Sequence, residues 1–283
     1  MESVAPFKEG IDAVKEAGGE TAKLCYQCGL CDTVCPWNMV VTFMIRRMVR
    51  QSQFGLAEIE SEEIWRCATC GNCIERCPRG VGIIDIVESL RRIASEWGNL
   101  PPSLRGPRAS LSGEGNPWGE ERQKRGDWAK GLSIKEFTEG TEVLYFPCCT
   151  PIYDQRARKL ALATVNILKK AGVDFGILSS KENCCGESIR KAGEEKLFKH
   201  LAKENIKTFI EAGVKKIIVS SPHCYQTFQN EYPEFRVNFE VMHISQYLVE
   251  LINEGRLEFT KEYSKKVTYH DPCYLGRHNK IYE

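Results

Sequence analysis

Eight cysteines set in two copies of one pattern constrain this chain more than any other feature. Cys25, Cys28, Cys31 and Cys35-Pro36 form the first copy, and Cys67, Cys70, Cys73 and Cys77-Pro78 the second; both read C-x2-C-G-x-C-x3-C-P. A loop carrying three cysteines at this spacing wraps one corner of a cubane iron–sulfur cluster, and the fourth, turned away by its proline, reaches the cluster of the other copy. The expected ligand sets are Cys25, Cys28 and Cys31 with Cys77, and Cys67, Cys70 and Cys73 with Cys35, holding two [4Fe-4S] clusters. Gly29 and Gly71 occupy matching positions, where a missing side chain lets the backbone pass close to inorganic sulfide. A structural zinc site takes four thiolates in two pairs, and explains neither the third cysteine nor the Cys-Pro ending of each run.

The chain has 14 cysteines among 283 residues and a formal net charge of +1. Seven disulfides would be an unneeded number of staples for a chain of this size, and no secretion signal is visible, so metal ligation is the better default. No apolar run approaches the ~18–20 residues of a membrane span. Charge offers no large field of one sign for nucleic acid or a membrane surface. The reading is a cytoplasmic protein, with any membrane association supplied by a partner.

The expected architecture is α+β and multidomain: residues 1–100 a mainly helical domain, 101–140 a linker, then an α/β half. A short polar helix before Leu24 places Ile11 and Val14 on one side and ends at Gly18-Gly19. Asn38 to Gln53 reads as a helix with Val41, Met44, Ile45, Met48 and Val49 on one face. Arg46, Arg47 and Arg50 lie on the other, as a solvated face or as a dock for an acidic electron partner. Ile83 to Trp97 is a further helix, stopped by Gly98. The stretch from Gly98 to Trp128 is rich in Gly, Pro, Ser and Arg and reads as a connector wrapping the domains, with Trp118 and Trp128 as packing anchors or as lids over the clusters.

From Val143 short β-branched runs alternate with helices. Strands are expected at Val143 to Phe146, Val173 to Leu178, Val214 to Ser220, Phe239 to His243 and Val267 to His270; helices at Arg156 to Lys170 and Glu194 to Ile210. Helix, Ala-Gly-Val, strand is written twice, which implies parallel strands joined by right-handed crossovers. Cys148 and Cys149 follow the first strand, Cys184 and Cys185 the second, Cys224 the third and Cys273 a later one. Ligands of open α/β sheets bind beyond the carboxyl ends of the strands, so all six cysteines are expected at one edge.

Phe146-Pro147-Cys148-Cys149, Asn183-Cys184-Cys185-Gly186-Glu187 and Ser221-Pro222-His223-Cys224 together resemble a CCG domain, the cysteine-rich, Rossmann-like module of heterodisulfide reductase catalytic subunits and related iron–sulfur oxidoreductases. His270-Asp271-Pro272-Cys273 resembles the opening of a second such module. On that resemblance the first CCG domain spans 141–262 and an incomplete second begins at 263–283. The N-terminal half is expected to be ferredoxin-like in its clusters but helical, unlike the small β-rich bacterial ferredoxins with the same motif.

The resemblance implies a third iron–sulfur centre, cubane or non-cubane, held by Cys148, Cys149, Cys184, Cys185 and Cys224, with Cys184, Cys185 and Cys224 carrying the reaction. Ser221 stands where the family's final pair has its first cysteine. The implied function is an oxidoreductase subunit of a larger hetero-oligomeric complex. Electrons from a flavoprotein or membrane cytochrome partner pass through the cubanes to reduce a disulfide or sulfur-chain substrate. Two alternatives are an electron-relay subunit of a quinone-linked dehydrogenase of glycerol 3-phosphate or lactate type, and a non-catalytic electron-transfer subunit. His223 and His270, near cysteines, are read as proton donors to a departing thiolate or as structural hydrogen-bonding residues.

Overall fold

The computed structural model describes residues 5–55 and 62–282. Contacts divide the chain into two compact units: residues 1–105 with Ser188–Lys196, and Gly106–Glu187 with the remainder from Leu197.

The first unit is built from helices α1 (Lys8–Val14), α2 (Leu30–Val34), α3 (Ile45–Phe54), α4 (Glu63–Arg66), α5 (Asn72–Glu75) and α6 (Ile83–Glu96). Helix α6 is its axis. Apolar residues recurring three and four apart bury Ile86, Val87, Leu90 and Ala94 to 1% exposure or less, and four such side chains contribute roughly 5–10 kcal/mol of gross burial free energy. Its start is fixed where the Gly82 N–H donates to the Thr21 hydroxyl at 2.9 Å, and Asp85 sits in the first turn, where the helix dipole favours a carboxylate. The segment Ser188–Lys196 packs on this helix. Gly193 permits that, because a Cβ there would collide with the Arg91 backbone, and Ser95 Oγ donates to Glu194 Oε1 at 2.6 Å.

The helix expected from Asn38 is shorter than its periodicity suggests. A single 3-10 turn covers Pro36–Met39, and α3 begins only at Ile45. Asn38 is the reason: its side-chain amide donates to the carbonyls of Asp32 and Phe43 at 2.8 and 2.9 Å, and its oxygen accepts from the Phe43 N–H at 2.7 Å. An asparagine that satisfies backbone groups in this way competes with helix. Asp32 then accepts the Arg46 N–H at 2.9 Å and starts α3. Ile45, Met48 and Val49 are buried as expected, while Arg47 and Arg50 are exposed.

Helix α7 (Pro102–Glu114) leads into the second unit. A five-stranded parallel sheet follows, made of β1 (Lys135–Glu136), β2 (Val143–Phe146), β3 (Phe175–Ile177), β4 (Lys216–Val219) and β5 (Glu240–His243) in the order β1-β3-β2-β4-β5. Between them run α8 (Cys149–Tyr153), α9 (Arg158–Lys170), α10 (Glu187–Lys191), α11 (Glu195–Glu211) and α12 (Pro222–Gln226), and α13 (Ile244–Asn253) follows β5. The repeated Ala-Gly-Val works as expected. Gly172 and Gly213 take φ of +65° and +75°, the left-handed turn that ends a helix. Strand β2 lies at the centre with all four residues buried, as parallel strands covered on both faces require.

Two sequence expectations differ from the structure here. The stretch read as a linker is folded: beyond α7 it forms a 3-10 helix at Arg122–Ala129 and the edge strand β1, and Trp128 sits in the core at 5% exposure. Polar composition hid this, because the buried anchors are few and one of them is an arginine. Val267 to His270 forms no strand and is exposed. A β-branched run is not by itself enough to form a strand, because β-propensity depends on packing context; among the described residues the sheet ends at β5.

Candidate metal centres

The two cysteine motifs of the helical unit fold as copies of each other. Gln27 and Thr69, equivalent positions, take φ of +70° and +50°, and Gly29 and Gly71 take +85° and +79°. Each copy thus makes two left-handed turns before a short helix, α2 or α5, and these turns aim three thiols at one side. Non-glycine residues in this region carry about 1 kcal/mol of strain or more, so the surrounding fold imposes the conformation.

Each copy borders a cavity. One is lined by Cys67, Cys70, Cys73 and Cys35, with Trp37 and Phe43. The other is lined by Cys25, Cys28, Cys31 and Cys77, with Val81 and Ile83. These are the two crosswise sets expected from the sequence, each closed by the cysteine-proline end of the opposite copy. Four thiols around an apolar space suit a four-iron cube in donor type and number.

Polar groups hold the loops in place. Arg91, on the core side of α6, donates to the carbonyls of Ile64 at 3.0 Å, Cys67 at 2.7 Å and Lys191 at 3.0 Å. Gln53 donates to Ala22 O and Cys25 O at 2.9 and 2.8 Å. The Thr69 N–H points at Cys67 Sγ and the Val81 N–H at Cys77 Sγ, both at 3.4 Å, and N–H donors to cluster sulfurs are one determinant of reduction potential. Burial pushes the Cys31 and Cys73 thiols up to about 12, so their ionisation needs a bound cation such as iron.

In the second unit, Cys148 and Cys149 leave β2, Cys184 and Cys185 follow β3, and Cys224 lies in α12 after β4. The chain leaves β2 toward β3 on one side and leaves β4 toward β5 on the other, so the adjacent ends of β2 and β4 form the switch-point crevice of an open sheet. All five cysteines are buried. Cys224 Sγ lies 3.3 Å from Cys185 Sγ, and hydrogen bonding links Cys149 with Cys184, Cys184 with Cys185, and Cys148 with Cys224. Hydrogen bonds from Cys184 and Cys224 draw Cys185 down to about 6, while the hydrogen bond with Cys184 and burial hold Cys149 well above a free thiol. Cys148 adopts φ +70°, a strained backbone position, and its Sγ lies 3.6 Å from Phe146 O. Cys273 is half-buried on a later turn, and His270 is exposed.

The Cys184-Cys185 loop is fixed by side chains that sequence reasoning passed over. The Asn183 N–H donates to Asn205 Oδ1 at 2.7 Å, Asn205 Nδ2 donates to Cys184 O at 3.1 Å, and the Tyr232 hydroxyl donates to Cys185 O at 3.2 Å. The Cys184 N–H donates to Gly115 O at 2.7 Å. Asn205 was legible in principle: it interrupts the apolar face of α11 between Leu201 and Phe209, and a buried polar residue on such a face needs a partner. Arg125 and Glu182, both 2% exposed and paired at 3.1 Å, carried no such signal. Ser221 caps α12, its hydroxyl accepting the His223 N–H at 3.2 Å, the role serine favours at a helix start. His223 Nδ1 contacts Glu187 Oε1 at 2.8 Å, and its ring packs on Tyr274 with centroids 4.3 Å apart.

Comparison with known proteins agrees with this division. Residues 14–81 match a 4Fe-4S dicluster domain and residues 143–229 a cysteine-rich domain, CCG. The chain is 37% identical over 233 residues to the EtfAB:quinone oxidoreductase of Syntrophomonas wolfei, covering 80% of this chain and 33% of that protein. It is 38% identical over 235 residues to the probable iron-sulfur-binding oxidoreductase FadF of Bacillus subtilis, with the same coverage. It is 30% identical over 249 residues to a dihydromethanophenazine:CoB--CoM heterodisulfide reductase subunit of Methanosarcina mazei, covering 83% of this chain and 60% of that protein. The chain thus spans a third to three-fifths of the length of these relatives. Among the described residues no helix is long and apolar enough to cross a membrane. Two cysteine-lined cavities on one unit and a buried thiol cluster on the other accord with both matches: the chain is an iron–sulfur protein joining a 4Fe-4S dicluster domain to a CCG domain, homologous to heterodisulfide reductase subunits and related iron–sulfur oxidoreductases.

Proposed function

We propose that this chain is the electron-relay part of an iron–sulfur oxidoreductase, working between a flavoprotein donor and a quinone-linked acceptor. The observation that carries the reading is the pair of cavities, each ringed by four cysteines drawn crosswise from two motifs. Cys25, Cys28, Cys31 and Cys77 hold one [4Fe-4S] cluster, and Cys67, Cys70, Cys73 and Cys35 the other. Cys148, Cys149, Cys184, Cys185 and Cys224 hold a third centre. When bound, such clusters supply one-electron transfer at potentials set by charge, burial and hydrogen bonds to sulfur. The chain's own residues fix those conditions: Arg91 and Gln53 position the loops, N–H groups approach the sulfurs, and apolar side chains such as Phe43 and Ile83 line the sites.

The quinone-linked acceptor is preferred because the relatives at 37% and 38% identity include one named for quinone, and because Ser221 gives its hydroxyl to a helix cap. A second reading, reduction of a disulfide at Cys184, Cys185 and Cys224, is favoured by the contact between Cys185 and Cys224. It requires two electrons and two protons per disulfide, releasing two thiols.

Iron and sulfide analysis with electron paramagnetic resonance of the anaerobically purified chain tests both. Two cubanes account for about eight irons, and a third centre adds to that number and gives its own signal. Reduced protein is then mixed with a small disulfide. Oxidation of the protein with release of two thiols per two electrons overturns the relay reading; an unreacted disulfide supports it.

A further inference from the structure

Arg125 is the residue whose environment the relay does not by itself explain. Its side chain is 2% exposed, and burying a guanidinium costs several kcal/mol unless its donors are matched. Its partner Glu182 is equally buried, yet the two do not form the usual two-oxygen fork. Nε and Nη2 share one oxygen, Glu182 Oε1, at 3.1 Å. Glu182 Oε2 has no hydrogen-bond partner among the described residues. The guanidinium is turned so that Nη1 faces Cys149 Sγ at 3.4 Å, and its carbon lies 5.7 Å from the centre of the Phe146 ring. Nη2 also approaches Asn183 O, beside Cys184, at 3.5 Å.

A neutral thiol is a weak acceptor, and a thiolate is a strong one. Giving up a carboxylate oxygen to face a sulfur is therefore favourable only if that sulfur carries negative charge. Five thiolates gathered at the ends of β2, β3 and β4 would carry more negative charge than a small iron–sulfur unit neutralises, and Arg125 is a buried cation in direct contact with one of these sulfurs, that of Cys149.

We propose that Arg125 is a positioning residue of the CCG centre: its guanidinium fixes the Cys149 sulfur and offsets part of the negative charge of the thiolates when they hold iron. The proposal rests on the reading of a third centre above. Fixed positive charge and hydrogen bonds near cluster sulfurs favour the reduced state, so Arg125 raises the potential of this centre. Glu182, which shares the guanidinium, lowers it.

Potentiometric titration of the full chain, followed by paramagnetic resonance, reads this directly, with the two cubane signals as internal controls. Arg125→Met moves the third centre to a more negative potential, or removes its iron alone; Arg125→Lys, which keeps the charge without the fork, retains the centre with a smaller negative shift. Glu182→Gln moves it the opposite way. Wild-type potentials in both Arg125→Lys and Glu182→Gln overturn the proposal, because a purely structural ion pair predicts that result. Equal loss of all three signals in Arg125→Met with an unshifted Arg125→Lys overturns it as well. Wild-type protein with only the cubanes' iron removes the reading on which the proposal rests, and is distinguished from the other failures by the iron count.

Discussion

Replacing Gly186 by alanine tests whether the glycine after Cys184-Cys185 is required by geometry. Its φ of +89° lies in the left-handed region, where an L-residue carries roughly 1–2 kcal/mol of strain. The added Cβ would also lie 2.8 Å from Phe198 Cδ2. Phe198 is fully buried, with ring contacts to Tyr232 at 6.5 Å and Phe235 at 6.2 Å, so it cannot swing away, and overpacking of this kind costs roughly 1–3 kcal/mol. The sum is about 2–5 kcal/mol, or about 5–15 °C in melting temperature for a unit of this size. Anaerobic thermal melts of the full chain measure it. Phe198→Leu in the same chain should recover the steric part but not the backbone part, giving a favourable coupling of about 1–2 kcal/mol. A Gly186→Ala melt within about 2 °C of wild type would refute the argument, and a double variant no better than the sum of the singles would remove the clash from it.

Three further outcomes follow from the same geometry. Cys28→Ser and Cys77→Ser line one cavity and should be epistatic, the double variant losing no more than the roughly four irons of one cubane; Cys28→Ser with Cys35→Ser should lose both, and the reverse pattern would exchange the ligand sets. Arg91→Met leaves three carbonyls without their donor and should destabilise the helical unit by about 3–5 kcal/mol in chemical denaturation, a loss under about 1 kcal/mol being incompatible with the clamp. His243 accepts the Ser245 N–H at Nδ1 and donates from Nε2 to Ser220 O, and burial holds its pKa below the ordinary 6.5. Folding therefore favours the neutral ring: this stability is whole above pH 6.5 and is lost as pH falls toward the folded-state pKa. The α/β unit should therefore lose stability on acidification below pH 6.5, and His243→Asn, which caps without titrating, should flatten that part of the profile.

How much of this could be read in the sequence depends on whether the information was local. The eight motif cysteines carry their geometry in their spacing, since the left-handed turns at Gln27, Gly29, Thr69 and Gly71 and the proline after each fourth cysteine are local features. Their crosswise grouping into two cavities could therefore be anticipated. The strand-following cysteines were legible for a related reason: short connections after β2, β3 and β4 deliver whatever they carry to the carboxyl end of a parallel sheet. The sheet order was not legible, because it depends on which strand edges pair at a distance, and it is this order that sets Cys148 and Cys149 beside Cys224. Helix α3 was overextended for want of one side-chain interaction, the bracing of Phe43 by Asn38, which periodicity does not record.

Arg125 lay furthest from reach. Its stretch is dominated by residues that solvate loops, and a buried arginine there has the same sequence appearance as an exposed one. Only its three-dimensional surroundings, Glu182 on one edge and Cys149 on the other, separate the two. The same physics explains why the apolar core was easier to anticipate than the polar shell around the thiols. Hydrophobic burial is non-directional and repeats with the period of the element, so Ile86, Val87 and Leu90 announce themselves together. A buried charge is justified by one or two specific partners, for Arg125 Glu182, 57 residues along the chain, and Cys149, 24 residues along, and no period marks them. The residues that tune a buried redox centre are thus the ones a linear reading is least able to supply.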